Sequence, residues 1–532
     1  MDEQTLQSAM ELHRRGKLDE AESLYRQILG REPKNSDALH LLGLVQIQRG
    51  QLAAGIGLIY QAIDLAPNIA GYYSNLGPAL MDAGRIDEAV TCYQRLVGLE
   101  PTNASAFDRL ARLMLHLRKT DEAISAAAEA VRLRPDVADY HAHLGSGYSL
   151  SGRYSLAVQP YTEALKLDPK NVNHLHDLAV AISETGRREE AIVLFDQAIK
   201  INPNFAWIHS SKGVVLSRLG RVAEAMDCFR QSIRIDPKSP AAYNNLGSLL
   251  QEQGKWAEAL EQYRKAVSVE PNRPTSRWNL CRVLLLLGYF KEGWAEFDAR
   301  LEMPQLRLKR AFPEPQWDGS DPAGKTILLH AEGGHGDAIH FIRLAPQVAE
   351  RGARLILECQ PALAPLFAEL RGFDAIIARG QPLPSFDWQI PLQSLPHVLG
   401  ITLENIPSRV PYLTAPAERV QKWKQRVAAE STENKVRVGL VWSGSRYANA
   451  DNRTRTIDVF SPLGKVPGFK FFGLQTGPDA NQSPPAGMDF ADFSADLTDF
   501  AETAALVQNL DLVVTIDTSV AHLAGALGKP VW

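Results

Sequence analysis

Between Ala241 and Arg273 the apolar residues fall into two stripes, each with a polar face opposite. Tyr243, Leu246, Leu249 and Leu250 recur at three- and four-residue spacing, which puts them on one side of a helix. Gly254 interrupts that pattern. A second stripe follows in Trp256, Ala259, Leu260, Tyr263, Ala266 and Val267, and Pro271 ends it. Proline has no N–H to donate and pushes the residue before it away from the α region. Two short helices joined by a turn cannot cover both of their own apolar faces. The unit requires copies of itself on either side.

The copies are present. Pro33, Pro67, Pro101, Pro135, Pro169, Pro203, Pro237 and Pro271 are each 34 residues apart. Gly16, Gly50, Gly84, Gly152, Gly186, Gly220, Gly254 and Gly288 keep the same interval, with Arg118 in the one missing place. A small residue recurs at the expected helix crossing (Ala21, Ala89, Ala123, Ala157, Ala191, Ala225, Ala259, with Gly55 and Gly293), and a large one four positions later fills the gap (Tyr25, Tyr93, Tyr161, Phe195, Phe229, Tyr263, Phe297). Together with the Leu246-Gly247 pair, this pattern resembles the tetratricopeptide repeat over residues 4–302, as eight repeats and a partial ninth. The resemblance implies an all-α superhelical solenoid with the first helix of each repeat on the concave face. The position before the Leu–Gly pair stays polar: Asn75, Arg109, His143, Asp177, Ser211, Asn245 and Asn279. Two readings remain open for this row. It is either a hydrogen-bonding ladder for an extended peptide or protein ligand, or a solvated helix face. Pro78 and Pro160 fall inside predicted helices, where kinks are expected.

The repeat stops at Met303. Residues 303–325 are basic, then rich in Pro and Gly, and read as a linker or docking cap. Beyond them, short apolar runs alternate with helical stretches, which argues for parallel sheets covered by helices. Strands are expected at Thr326–Ala331, Arg354–Cys359, Asp374–Ala378, Asp387–Pro391 and Val410–Leu413, then at Val436–Trp442, Phe469–Leu474 and Asp511–Asp517. A helix is expected from Asp337 through Arg351, with others at Ala362–Leu370, Ala417–Ala429 and Thr503–Gln508. Two Rossmann-like halves result, 326–415 and 435–532. The second is expected to be incomplete, because Lys529-Pro530-Val531-Trp532 only begins a strand.

Composition narrows the classes. A net charge of -4 gives no footprint for nucleic acid. No apolar run reaches membrane-spanning length and no signal peptide is recognised, so a reduced cytoplasmic setting is the default. Cys92, Cys228, Cys281 and Cys359 are too scattered for a disulfide frame or a zinc site. His141, His143, His174 and His176 lie on neighbouring repeats without carboxylates or thiols at ligand spacing, so no metal is expected.

Ligands of open parallel sheets bind beyond the carboxyl ends of the strands. Two loops lie at such ends. The first is Glu332-Gly333-Gly334-His335-Gly336-Asp337, whose glycines allow close backbone approach and whose aspartate opens a helix. The second is Asp517-Thr518-Ser519, which caps a helix carrying His522 and offers free N–H groups to an anion such as a diphosphate. Taken alone, each also fits an ordinary tight turn or helix cap.

Together they resemble the GT-B glycosyltransferases, and most closely the ADP-heptose:lipopolysaccharide heptosyltransferase family. The motifs are Gly336-Asp337, the run from Asp517 to Pro530 (DTSVAHLAGALGKP), Trp317-Asp318-Gly319, and the loop Asp451-Asn452-Arg453-Thr454-Arg455-Thr456. The pairing of repeats with such a fold is also similar to protein O-GlcNAc transferase. The resemblance implies a glycosyltransferase using a nucleotide-diphosphate sugar, with Asp337 as general base and Gly334, His335 and Gly336 in the acceptor loop. It implies that Ser443, Gly444 and Arg455 line the donor phosphates, that Gln475 lies near the nucleotide, and that Asp517, Thr518, Ser519 and His522 hold the leaving diphosphate without a metal. Gly333 stands where the family commonly has Gln, and His335 where it commonly has an apolar residue. The alternative is a non-catalytic repeat scaffold with a degenerate transferase fold.

Overall fold

The structure is a computed structural model and describes residues 2–431, 434–444 and 455–532. Ser445, Asp451, Asn452, Arg453 and Thr454 of the expected donor loops lie outside the described residues. The chain divides into two compact units, one ending at Glu252 and the other beginning at Gln253.

Eighteen helices, numbered along the chain from α1 (Asp2–Arg14) to α18 (Phe290–Phe297), make up the repeat region. The turn after each odd-numbered helix explains the glycine interval. Its glycine has φ between +70° and +92°, the left-handed region that is free of strain only without a Cβ. Arg118 occupies the same place at φ +56°. Its turn still closes: Arg118 N donates to Leu115 O (3.1 Å) and Lys119 N to Met114 O (2.9 Å).

In the first unit, the small residues mark where helices cross. Ala21, Ala89, Ala157, Ala191 and Ala225 are fully buried. The Leu–Gly glycine is explained by the aromatic of the next helix. A Cβ placed on Gly77 would lie 2.5 Å from the Tyr93 ring, on Gly145 2.7 Å from Tyr161, and on Gly213 2.6 Å from Phe229. Pro78 and Pro160 sit in α5 (Ala70–Asp82) and α10 (Tyr154–Leu167), which continue on both sides of them.

The second unit opens with α16 (Trp256–Val269), α17 (Pro274–Leu286) and α18, followed by a 3₁₀ turn at Asp298–Glu302. Two parallel sheets follow. The first contains β1 (Thr326–His330), β2 (Arg354–Cys359), β3 (Ala375–Ala378) and β4 (Trp388–Pro391) in the order β3-β2-β1-β4. Its helices are α19 (His335–Phe341), α20 (Ala345–Glu350), α21 (Ala364–Phe367) and α22 (Leu395–Leu399). After α23 (Ala417–Glu430), the second contains β5 (Val436–Val441), β6 (Phe469–Gly473), β7 (Phe490–Asp492) and β8 (Leu512–Thr515) in the order β7-β6-β5-β8. Its helices are α24 (Phe500–Gln508) and α25 (Ser519–Ala526). The same order twice makes twin Rossmann-like halves.

One continuous apolar core joins the halves, with Ile327, Leu329, Leu355 and Leu357 in it alongside Val441, Phe472, Leu474 and Val513. The opposite face of the first sheet is polar at its carboxyl end, where His330, Glu332, Glu358 and Gln360 are all buried. Residues 303–325 cover this face. Arg310 pairs with Glu358, Phe312 packs on His330 at 5.1 Å, and Gln316 pairs in parallel with Gln389 at the β4 edge.

Several expected elements differ. Val410–Leu413 forms no strand, because Pro411 has no N–H for a ladder, and Tyr412 N and Leu413 N both donate to Ala526 O in α25. The helix expected through Arg351 tightens to 3₁₀ at Ile342–Leu344 and restarts at Ala345 beside Pro346. The helix expected at Ala362–Leu370 is the single turn Ala364–Phe367, and β7 was not expected. Val531 forms an isolated parallel bridge with Val513 of β8. Among the described residues no helix is long and apolar enough to cross a membrane. Burial pushes the Cys92, Cys281 and Cys359 thiols up to about 12.

Relieving the strained turn gives a direct test. Arg118→Gly is expected to stabilise the first unit by about 0.5–1 kcal/mol, the difference between the left-handed strain of a side chain and the greater unfolded-state entropy of glycine. Denaturant unfolding of the two proteins measures it, and equal midpoints would contradict the account.

Candidate functional site

Both loops singled out in the sequence end parallel strands, and the fold brings them into contact. A Cβ on Gly336 would lie 2.9 Å from His522 Cδ2 and 3.3 Å from Ser519 Cα. One turn further on, His340 meets His522 edge to face, with ring centroids 5.3 Å apart. The starts of α19 and α25 therefore lie side by side. Two positive helix ends so placed favour a negative group.

The two ends are capped differently. In α19, Asp337 Oδ2 accepts from Gly334 N at 2.9 Å. In α25 the N-cap residue Thr518 makes no side-chain capping bond, and its hydroxyl instead shares a 3.1 Å bond with Thr515. Ala521 N in the first turn of α25 donates to Thr518 O at 3.1 Å. Gly444 adjoins this point, since a Cβ there would be 3.9 Å from Thr518 Cγ2. Asp517 and Arg455 are exposed, with Arg455 N donating to Trp442 O at 2.9 Å.

Other expected donor residues shape the loop rather than face solvent. Gln475 Oε1 accepts from Ser443 N (2.8 Å) and Trp442 N (3.2 Å), while its Nε2 donates to Thr476 O (3.0 Å). Ser443 is buried and its hydroxyl donates to Asp479 Oδ2 at 2.6 Å. His335 packs against Phe500 at a tilt, with ring centroids 5.0 Å apart, and burial, aided by the Arg379 charge, lowers its pKa. Burial lowers the His340 pKa to about 4, assisted by Arg343, whose Nη2 lies 3.2 Å from His340 Nε2.

The sequence reading missed the groups that hold the first loop. Gln360 and Arg379 directly follow β2 and β3, while Glu332 and Gln393 lie one residue beyond the ends of β1 and β4, after Ala331 and Leu392. Polar residues at the carboxyl ends of buried strands were the available signal. Arg300, in the last turn of the repeat region, is 1% exposed and donates to Glu332 Oε1 at 2.6 Å. No pattern along the chain announces that contact.

The polar row of the repeats is mostly engaged within the protein. Asn75 bonds to His40 (3.1 Å), His143 to Asp108 (2.6 Å), Ser211 to His176 (3.0 Å) and Asn245 to Ser210 (3.0 Å), each reaching into the preceding repeat. Asp177 bonds to His176 in its own helix at 3.0 Å. Arg109 is exposed and Asn279 half-buried. His141 bonds to Pro135 O at 2.9 Å, and His174 lies 3.6 Å from Asp139.

Comparison with known proteins agrees with this division. The tetratricopeptide repeat family matches residues 6–68, 74–138, 109–172, 183–220, 204–271 and 244–300. Glycosyltransferase family 9 (heptosyltransferase) matches residues 494–531, which hold α24, β8 and α25. Protein FlbA of Caulobacter vibrioides is 29% identical over 286 residues, covering 47% of this chain and 46% of that protein. The chain thus spans under half the length of this curated relative. Among solved structures, a tetratricopeptide repeat protein from Parabacteroides merdae is 18% identical, with a TM-score of 0.41 over 47% of this chain and 98% of that one. MamA is 23% identical, with a TM-score of 0.31 over 32% of this chain and 93% of that one.

Two measurements probe this geometry. Gly336→Val forces α19 and α25 apart and should destabilise the second unit by about 1–3 kcal/mol, the usual range for overpacking; an unchanged melting profile would deny the contact. Acid should also weaken this unit. Burial holds His330 at a pKa of about 4, so between pH 6.5 and 4 the unfolded chain binds the extra proton and stability falls as pH falls. The loss from His330 reaches about 3 kcal/mol by pH 4. His330→Gln should make the profile less steep, leaving the share of His340, and a profile as steep as the wild type would exclude His330 as a source.

Proposed function

We propose, for a chain whose N-terminal region is built of tetratricopeptide repeats and whose C-terminal end carries a segment of glycosyltransferase family 9, that the second unit transfers a sugar from a nucleotide diphosphate. The observation that carries this is the meeting of Gly336 with Ser519 and His522, which sets the Asp337 carboxylate beside the start of α25, a helix that the Thr518 side chain does not cap. Asp337 takes the proton of an acceptor hydroxyl. The freed oxygen attacks the anomeric carbon, and the bond from that carbon to the phosphate oxygen breaks. The nucleoside diphosphate leaves with the electron pair and is stabilised by the first-turn N–H groups of α25, the Ser519 hydroxyl and His522. Gly444, Arg455 and Asp517 border the donor, and Ser443 and Gln475 shape its loop. No metal is required, because fixed N–H groups and the helix dipole balance the charge. The repeats recruit a protein or peptide acceptor, with Arg109 and Asn75 as the exposed members of the polar row.

A second reading is a scaffold without catalysis. The internal bonding of Ser443, Gln475 and Asp337 favours it, since each has a partner before any ligand arrives.

Calorimetric titration with ADP, UDP and GDP separates the two. A transferase binds at least one, and His522→Ala should weaken it tenfold or more, about 1.4 kcal/mol. Asp337→Asn should keep that affinity and lose transfer. Absence of binding for all three nucleotides would leave the scaffold reading.

A further inference from the structure

The last turn of the repeat region is built into the first Rossmann-like half. Trp294 of α18 meets Phe341 of α19 edge to face at 6.3 Å. Arg300 then enters the polar face of the first sheet and is enclosed there. Its guanidinium donates to Asp298 Oδ1 (2.7 Å), Phe297 O (3.2 Å), Ser394 Oγ (2.9 Å) and Glu332 Oε1 (2.6 Å), and lies 4.4 Å above the Phe297 ring.

Glu332 opens the glycine-rich loop, and burial pushes its carboxyl pKa up against the pull of Arg300. It also accepts from Gln393 N at 3.3 Å, and Gln393 Nε2 returns a bond to Glu332 O at 3.2 Å. The loop carbonyls on either side are held in the same manner, Ala331 O by Arg379 and Gly333 O by Gln360 Nε2 at 3.2 Å. Three consecutive peptide planes are therefore set by side chains arriving from the ends of β2, β3 and β4. Glu332 contributes the loop's one buried charge, and Arg300 is its countercharge.

We propose that Arg300 is a positioning residue for the glycine-rich loop: through Glu332 it fixes the peptide planes that present Asp337. The final repeat thus serves the candidate site directly, in addition to any partner the repeats bind. The value of this placement for transfer rests on the reading of Asp337 given above, but the placement itself is measured without nucleotide or substrate.

Hydrogen–deuterium exchange on the full chain tests it. Local opening is reported amide by amide. In Arg300→Met, amides of residues 331–338 should exchange at least tenfold faster, while β5 and β6 keep their wild-type rates. Arg300→Lys keeps a cation for Glu332 but cannot reach all four partners, and should give a smaller rise confined to the same loop. Should Arg300→Met fail to fold, Arg300→Lys carries the test alone. Wild-type exchange of the loop, or equal acceleration in both halves, overturns the proposal. Absence of nucleotide binding would remove the transferase reading and leave this result untouched.

Discussion

Backbones can approach closely only where a side chain is missing, and this protein uses that constraint throughout. In the repeats, a glycine or alanine on one helix receives the aromatic ring of the next, as Gly77 receives Tyr93 and Gly213 receives Phe229. In the second unit, Gly336 lets the start of α19 lie against Ser519 and His522 of α25. The first use builds a solenoid from units that cannot fold alone. The second brings two distant loops together. A Cβ at any of these positions would push apart elements on which the neighbouring packing depends.

Charge follows from this geometry. Two helix starts of like sign lie together: Asp337 caps that of α19, and the side chain of Thr518 does not cap that of α25. The latter keeps its electrostatic preference for an anion. On the polar face of the first sheet, charges are instead matched internally: Arg300 with Glu332, and Arg310 with Glu358. Such pairs add little net stability over apolar packing; for the fully buried Arg300–Glu332, losing one partner strands the other at a cost of about 3–5 kcal/mol. They make the loop geometry intolerant of change rather than strong in itself.

The repeats were legible because each feature is local and recurs. A glycine is needed wherever a turn runs through positive φ, and a proline stops each second helix; Arg118 shows that the turn, not the residue, is conserved in the geometry. The strands were legible as apolar runs between turns. The short helix at Ala364–Phe367 and the non-strand at Val410–Leu413 were misjudged because prolines and distant carbonyls such as Ala526 O outweigh local pattern there. Gln475 illustrates the same limit at the site, where a polar residue well placed for a ligand is engaged by the β5 loop.

The sequence by itself determined the helical repeat, the change to two parallel α/β halves, and the two strand-end loops, since all of these follow from periodicity and turn chemistry within a few tens of residues. Only the tertiary structure decided that the two loops touch through Gly336, that the polar row of the repeats is largely bonded between neighbours, and that Arg300 lies beneath the glycine-rich loop. These are contacts between residues up to about 190 positions apart along the chain, set by how the sheets and helices pack. Spacing along a chain carries no record of an approach that packing alone creates.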